Sequence, residues 1–325
     1  MLHFEFTLIW WIGVEIRFYA TTTYLHAKYM AVDGKTVSIS SVNFSETSYT
    51  KNREAGAVFQ GDSQAIANFT QSVFEYDWNL GVPMTVSQTY NTSDMAIITN
   101  NETIKIVQPP PFSNPKAYIT PTPTAIEMSS KTPITVYTSP DFARPQILGD
   151  MSQANTSFAM MVYQVTDMGF CDELYTLHQR LNLTLVVSWY IDSYTDCQLA
   201  NQCYTDLYGK GMTIHKTPTY YSMSHNKFWI VDGERVVWST GNWSPSDYPE
   251  GIMCFVPKLN AVADCLCPDS GTSFPPYSNS SWQDINRDFT VSIAHPEIVS
   301  IFQTVLDRDT AEGYTWSSYY DIKCG

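Results

Sequence analysis

Apolar positions along the chain fall into short runs, each of a length suited to a strand or an ordinary helix. The first, Thr7-Leu-Ile-Trp-Trp-Ile-Gly-Val14, is far shorter than the roughly 20 residues that cross a bilayer. Glu5 and Trp10-Trp11 stand where a secretion signal needs a basic start and a small-residue cleavage site. The run predicts a buried strand region over 7–20. Between Ala65 and Asp77, Ile66, Phe69, Val73 and Phe74 recur at helical spacing. After Pro133 the pattern predicts strands over 134–137, 159–165 and 183–191, with helices over 171–181 and 197–208. Strands alternating with helices imply an α/β layered architecture. Pro109, Pro110, Pro111, Pro115, Pro121 and Pro123 precede Pro133, and no helix or central strand tolerates such a series. Residues 108–132 therefore read as an extended linker between a first lobe, 1–107, and a second, 133–325.

The chain also repeats itself. Tyr24-Leu-His26-Ala-Lys28-Tyr-Met-Ala-Val-Asp33-Gly34 is echoed by Met223-Ser-His225-Asn-Lys227-Phe-Trp-Ile-Val-Asp232-Gly233. Ten residues past each Asp stands an Asn, in Ser40-Ser41-Val42-Asn43 and Ser239-Thr240-Gly241-Asn242. The His, Lys, Asp and Asn of the two copies are each 199 residues apart, which chance does not produce. Upstream, Gly13-Val-Glu-Ile-Arg17 matches Gly211-Met-Thr-Ile-His215. Downstream, Asn52-Arg53-Glu54 matches Asn286-Arg287-Asp288 at an offset of 234, so the second copy holds an insertion at about 251–283. That insertion contains Cys254, Cys265 and Cys267.

This pattern, His-x-Lys-x4-Asp followed by Asn after a small hydroxyl pair, resembles the duplicated signature of the phospholipase D superfamily. One departure is that Ser40, and Ser239-Thr240, stand where the family usually has Gly and Gly-Ser. The resemblance extends less specifically to the lumenal, glycosylated animal branch that includes exonucleases. It implies an α/β fold of two mixed-sheet lobes with flanking helices, related by a pseudo-twofold axis around one active site. The first lobe would be incomplete: 25 residues precede His26, where about 90 separate the linker from His225. A longer form would then supply the missing strands and any signal or anchor.

The chemistry suits a phosphodiester. A His and a Lys two apart on a strand share one face. Two facing copies bring His26, His225, Lys28, Lys227, Asn43 and Asn242 around one phosphorus. The ammonium and amide groups would stabilise charge on the non-bridging oxygens. One imidazole would attack phosphorus while the other protonates the departing oxygen. No metal or other cofactor is called for, since the lysines supply the positive charge. The resemblance nominates His26 as attacker and His225 as acid, with Asp33, Asp232, Ser41 and Thr240 as supports. Glu54 and Asp288 would orient the imidazoles, Glu250 competing with Asp288 for that task. Asp33 and Asp232 each precede Gly, which also suits a simple turn. A lone histidine is ordinarily structural, as His3, His178, His215 and His295 are expected to be; duplication overturns that for the other two. Gly61-Asp62-Ser63 looks like a hydrolase box but precedes a helix, where Asp and Ser act as caps.

Charge narrows the partners. Lys and Arg total 18 against 32 Asp and Glu, a net −14, so counterion release would not hold a nucleic acid stably. A phospholipid or a short nucleic acid remains as substrate, with an inactive glycosylated binding protein as the non-enzyme alternative. No segment is long and apolar enough to span a membrane. All seven cysteines follow residue 170. Cys265-x-Cys267 lacks metal-site spacing, so disulfides are expected, at least two among Cys171, Cys197, Cys203, Cys254, Cys265 and Cys267, one of them pinning the insertion; an odd count leaves one thiol over. Asn43, Asn68, Asn91, Asn101, Asn155, Asn182, Asn242 and Asn279 begin glycosylation sequons. Together these point to a secreted or endolysosomal lumenal protein.

Overall fold

A computed structural model describes residues 13–18, 23–61, 64–83, 132–139, 143–249, 285–317 and 321–325. In chain order its first stretch gives β1 (Arg17–Phe18), β2 (Thr23–Leu25), β3 (Tyr29–Val32), β4 (Thr36–Ser40), α1 (Glu46–Thr50), β5 (Gly56–Phe59), α2 (Gln64–Leu80) and β6 (Val82–Pro83). There follow β7 (Ile134–Ser139), α3 (Ala143–Gln153), β8 (Ser157–Val162), α4 (Met168–His178), β9 (Asn182–Val187), β10 (Tyr190–Ile191), α5 (Tyr194–Gly209) and β11 (Ile214–Lys216). The chain ends in β12 (Lys227–Val231), β13 (Arg235–Ser239), β14 (Ile285–Ile293), α6 (Pro296–Glu312), β15 (Tyr314–Thr315) and β16 (Lys323–Cys324).

Two compact units emerge, residues 1–21 with 77–121, and 22–76 with 122–325. In the first, β1 pairs antiparallel with β6, and Arg17 lies 4.7 Å over the Trp78 ring. The second carries both His-x-Lys motifs. Its large mixed sheet runs β15-β11-β9-β8-β12-β13-β14-β2, with β7 also on β14. Strand β14 serves two partners in succession. Ile285–Arg287 pair parallel with β2, and Asp288–Ile293 pair antiparallel with β7. Thus a strand from before the first motif is stitched onto the sheet that carries the second. A smaller antiparallel sheet, β3-β4-β5, and a parallel pair, β10-β16, complete the sheets of this unit.

Burial on both faces explains the unbroken apolar run of β12. Phe228 and Ile230 face a core shared with Val37, Ile39 and Phe59 of the small sheet, Ile66 and Val73 of α2, and Val299 and Leu306 of α6. Trp229 and Val231 face the opposite core, under Ile147, Leu174 and Leu207 of α3, α4 and α5. Each such side chain contributes about 1.5–3 kcal/mol on burial, so the strand leading from His225 is firmly anchored. In β3, by contrast, Met30 and Val32 are exposed, as is Val58 of β5.

Several expectations change. Of the 7–20 run only 13–18 is described; its strand is limited to Arg17–Phe18, and Val14 is 45% exposed rather than buried. The strand expected over 159–165 ends at Val162, and that over 183–191 breaks into β9 and β10. Two disulfides close, Cys171–Cys203 between α4 and α5, and Cys197–Cys324 between α5 and β16. Cys324, set aside in the sequence reading, is thus a partner; β16 brings it there by pairing with β10. The proline-rich linker, the insertion with its three cysteines, and the Asp62-Ser63 cap lie outside the described residues. No described helix is long and apolar enough to cross a membrane.

Candidate functional site

Each motif histidine is placed by backbone pairing with the distant Asn-Arg-acid segment. His26 N donates to Arg287 O at 3.1 Å, and His225 N donates to Arg53 O at 2.8 Å. Arg53 N in turn donates to Met223 O at 2.9 Å. Buried Arg53 is gripped by buried Asp309, Nε to Oδ2 at 3.0 Å. Both histidines sit just before a strand rather than within one, and each lysine folds back on its own motif. Lys28 Nζ donates to His26 O at 2.5 Å and Lys227 Nζ to His225 O at 2.8 Å.

The carboxylates are crossed between the motifs. Asp288 Oδ1 meets His26 Nδ1 at 2.9 Å, and Glu54 Oε2 meets His225 Nδ1 at 3.0 Å. Hydroxyls hold each acid in turn. Thr240 Oγ1 donates to Asp288 Oδ1 at 2.6 Å and accepts from Phe289 N at 3.0 Å. Ser41 Oγ donates to Glu54 Oε2 at 2.6 Å and accepts from Ala55 N at 3.0 Å. Gly241 packs closely here, where a Cβ would lie 3.0 Å from Asp288 Oδ2 and 3.1 Å from Tyr248 Oη. Asn242 follows it, half-buried. Asn43 lines a cavity of about 240 Å³ together with His225, Ser48, Asn52, Tyr163 and Asp192.

Asp33 and Asp232 lie in turns. They occupy hairpin tips at φ 55° and 54°, each followed by a left-handed glycine. The Asp232 carboxylate accepts from the backbone N–H groups of Asn155, Thr156 and Ser157, and those bonds outweigh the effect of burial and hold it at about 2. Their positions fit the turn reading of these aspartates. Glu250 lies outside the described residues, and Asp288 is the acid on His26.

One important residue escaped the sequence reading. Asp247 Oδ1 lies 3.3 Å from His26 Nδ1 and accepts from Asn286 Nδ2 at 2.8 Å. The signal was available: after Asn43 and Asn242 the pattern aromatic-Ser-x-x continues in both copies, ending on Ser48 in one and Asp247 in the other.

Two unlike imidazoles result. Burial works against charge on His26, but Asp288 and Asp247 outweigh it and raise the imidazole to about 9. Burial lowers His225 to about 4, helped by the Lys227 charge, and Glu54 only partly opposes it. Burial likewise lowers Lys227 to about 7 and depresses Lys28. Each lysine senses Glu54, Asp247 and Asp288, and Lys28 also acts on Lys227 and His225. Both motifs therefore occupy one electrostatic neighbourhood. On the two acids by His26, burial opposes the Asp247 charge but His26 keeps its carboxyl low, whereas burial raises Asp288. Tyr163 packs edge-on against His225 at 5.2 Å and lies 5.5 Å from Lys227 Nζ.

His26, Asp247 and Asp288 lie close enough together to hold a cation. Their facing atoms already bond one another, and Thr240 and Asn286 bond the two acids. The cluster thus also works as a hydrogen-bond network around a protonated imidazole, with Asp288 Oδ2 left outside it.

Comparison with known proteins gives a family match over one stretch of the chain and a shared fold. Residues 6–78 match the family model described as cardiolipin synthase, PLD-like domain. No curated protein matches the chain. Phosphatidylserine synthase from Haemophilus influenzae Rd KW20 superposes with a TM-score of 0.54 at 11% identity, covering 92% of this chain and 64% of that one. Nuc, a phospholipase D family member from Salmonella typhimurium, gives 0.42 at 16% identity over 58% of this chain and 100% of its own. NucT from Helicobacter pylori gives 0.40 at 12% identity, over 57% and 100%. The synthase shares the mixed α/β fold described above.

Proposed function

We propose that this chain belongs to the PLD-like phosphodiesterase superfamily, whose domain model residues 6–78 match, and that it hydrolyses a phosphodiester through a phosphohistidine, without a metal. The observation that carries the reading is the pair of carboxylate-held imidazoles, one biased toward the cation and one toward the neutral form, beside two buried lysines. The recurrence of each contact around the other histidine fits a duplicated unit with a pseudo-twofold axis through the site.

Roles follow from which ring nitrogen is occupied. His225 Nδ1 faces only acceptors, Glu54 Oε2 and Ser41 O, each at 3.0 Å. The proton of the neutral ring therefore sits on Nδ1, and the Nε2 lone pair is free to attack phosphorus. His26 is an imidazolium whose Nδ1–H is held by Asp288, so its Nε2–H can be given to the departing oxygen. That order reverses the sequence expectation, because two acids raise His26 while burial and Lys227 depress His225. Attack forms the P–N bond as the P–O bond breaks, and the leaving alkoxide takes the His26 proton. Water then attacks phosphorus and gives its proton to neutral His26. The P–N electrons return to His225. Lys28 and Lys227 balance the phosphoryl oxygens, whose charge restores the ammonium form that burial penalises.

A cavity of about 260 Å³ opens beside Lys28 and Glu54, walled by Tyr29, Met30, Val42, Phe44 and Tyr49. Apolar walls next to the phosphate site favour a phospholipid over a polynucleotide, in keeping with the net −14. Two disulfides and exposed sequons at Asn68, Asn155 and Asn182 fit a secretory or endolysosomal location. The test is hydrolysis of phosphatidylcholine, bis(4-nitrophenyl) phosphate and a single-stranded oligonucleotide with EDTA present. The reading expects turnover of the first two. Activity that vanishes with EDTA, or turnover of the oligonucleotide alone, contradicts it.

A further inference from the structure

The surroundings of the two histidines share most of their contacts and differ at Nδ1, where His26 has Asp247 and His225 has the Ser41 carbonyl. Ser244 Oγ accepts from Asp247 N at 3.1 Å, and Ser45 Oγ accepts from Ser48 N at 3.3 Å. Asn286 Nδ2 donates to Asp247 Oδ1 at 2.8 Å, and Asn52 Nδ2 reaches Ser48 Oγ at 3.5 Å. Thr240 with Asp288, and Ser41 with Glu54, form the same hydroxyl–acid pair at 2.6 Å. In both places a small turn closed by a serine presents one side chain toward the histidine pocket. On the His26 side that side chain is a carboxylate within 3.3 Å of Nδ1. On the His225 side it is a buried hydroxyl lining the cavity of about 240 Å³ that His225 also lines.

Resting on the phosphodiesterase reading above, we propose that Asp247 is the positioning residue that assigns the two histidines their separate tasks, with Ser48 as its silent counterpart. A second carboxylate on one imidazole breaks the symmetry of the repeat. The ring held by two carboxylates keeps both protons and serves as acid; the ring held by one carboxylate and a neutral carbonyl keeps its lone pair and attacks. The groups facing His26 are Asp288 from β14, Asp247 from the turn after β13, and Lys28 at the start of β3. Asn286 and Thr240 fix the two acids. Lys227 and Glu54 act on the same cluster from beyond them.

The test reads the imidazoles directly by NMR titration of the intact, disulfide-bonded chain, and so does not depend on turnover. Asp247→Asn should move the His26 titration from about 9 down by more than about one pH unit, leaving His225 in place. Asp247→Glu should restore it. In assays, the alkaline limb of Asp247→Asn should fall in parallel for substrates with poor leaving groups and stay put for nitrophenyl esters, which need little protonation. The exchange variant Asp247→Ser with Ser48→Asp should raise His225 instead. A His26 titration unmoved in a folded Asp247→Asn protein overturns the proposal even if the enzyme is active. Wild-type protein with the expected titrations but no phosphodiesterase activity sinks the functional reading and leaves the electrostatic assignment standing.

Discussion

Replacing Lys227 with methionine should stabilise the fold while abolishing turnover. The ammonium is fully buried, and burial lowers it from 10.5 to about 7. That gap corresponds to about 5 kcal/mol of folding free energy lost to keeping the charge inside. Methionine fills similar volume without charge, but it strands the His225 carbonyl that Lys227 bonds at 2.8 Å, at about 1–3 kcal/mol. The net gain is about 2–4 kcal/mol at pH 6.5. Its sign with pH follows from proton binding. Below pH 7 the lysine is charged in both states and the fold bears the whole cost. Between 7 and 10.5 the unfolded chain holds more protons, so wild-type stability rises, and the advantage of the variant fades over that interval. His26 has the opposite linkage, its contribution being full below 6.5 and lost as pH rises through about 9; this is common to both proteins and cancels in their difference. Urea unfolding of both proteins at pH 6.5 and pH 10, disulfides intact, reads the effect. A variant less stable than wild type at pH 6.5, or an advantage that grows at pH 10, would refute the reasoning.

Further outcomes follow from the same geometry. Glu54→Gln should cut kcat about 10–100-fold through loss of a charge-assisted bond worth about 1.5–3 kcal/mol, and should lower the melting temperature too, since the fold favours the Glu54 carboxylate; steady-state kinetics alongside a melting curve check this. Asp309→Ala leaves buried Arg53 without its acid and should cost about 3–5 kcal/mol in denaturant unfolding. The profile of kcat/KM should fall below about pH 4, as His225 gains a proton, and above about pH 7, as Lys227 loses one. In kcat, where bound phosphate restores Lys227, the alkaline fall should move toward the 9 of His26; coincident alkaline limbs in the two profiles would count against Lys227 as a phosphate ligand.

The chemistry of this chain was more legible than its layering. Two His-x-Lys motifs 199 residues apart named the residues that converge, since a duplicated polar pattern has no structural excuse. The Asn-Arg-acid match likewise found Glu54 and Asp288. What spacing could not show was that the acids cross over, each serving the other motif's histidine. That crossing depends on β2 joining β14 and on Arg53 bridging to Ser224, pairings between segments far apart in sequence. Asp33 and Asp232 are ambiguous because a turn Asp-Gly and a functional aspartate look alike in sequence. Asp247 stands where the copies differ, so the repeat itself does not mark it. Nor does the sequence tell acid from nucleophile: the motifs are near-identical, and the assignment proposed above draws on burial and on one extra carboxylate.

The central claim is that His225 attacks and His26 protonates. Mapping the covalent intermediate tests it most directly. The enzyme would be mixed with bis(4-nitrophenyl) phosphate, quenched in base, where phosphohistidine survives, and digested for mass spectrometry. The adduct should lie on the peptide containing His225, persist in His26→Asn, whose leaving group needs little protonation, and be absent from His225→Asn. An adduct on His26, or one retained in His225→Asn, would contradict the account.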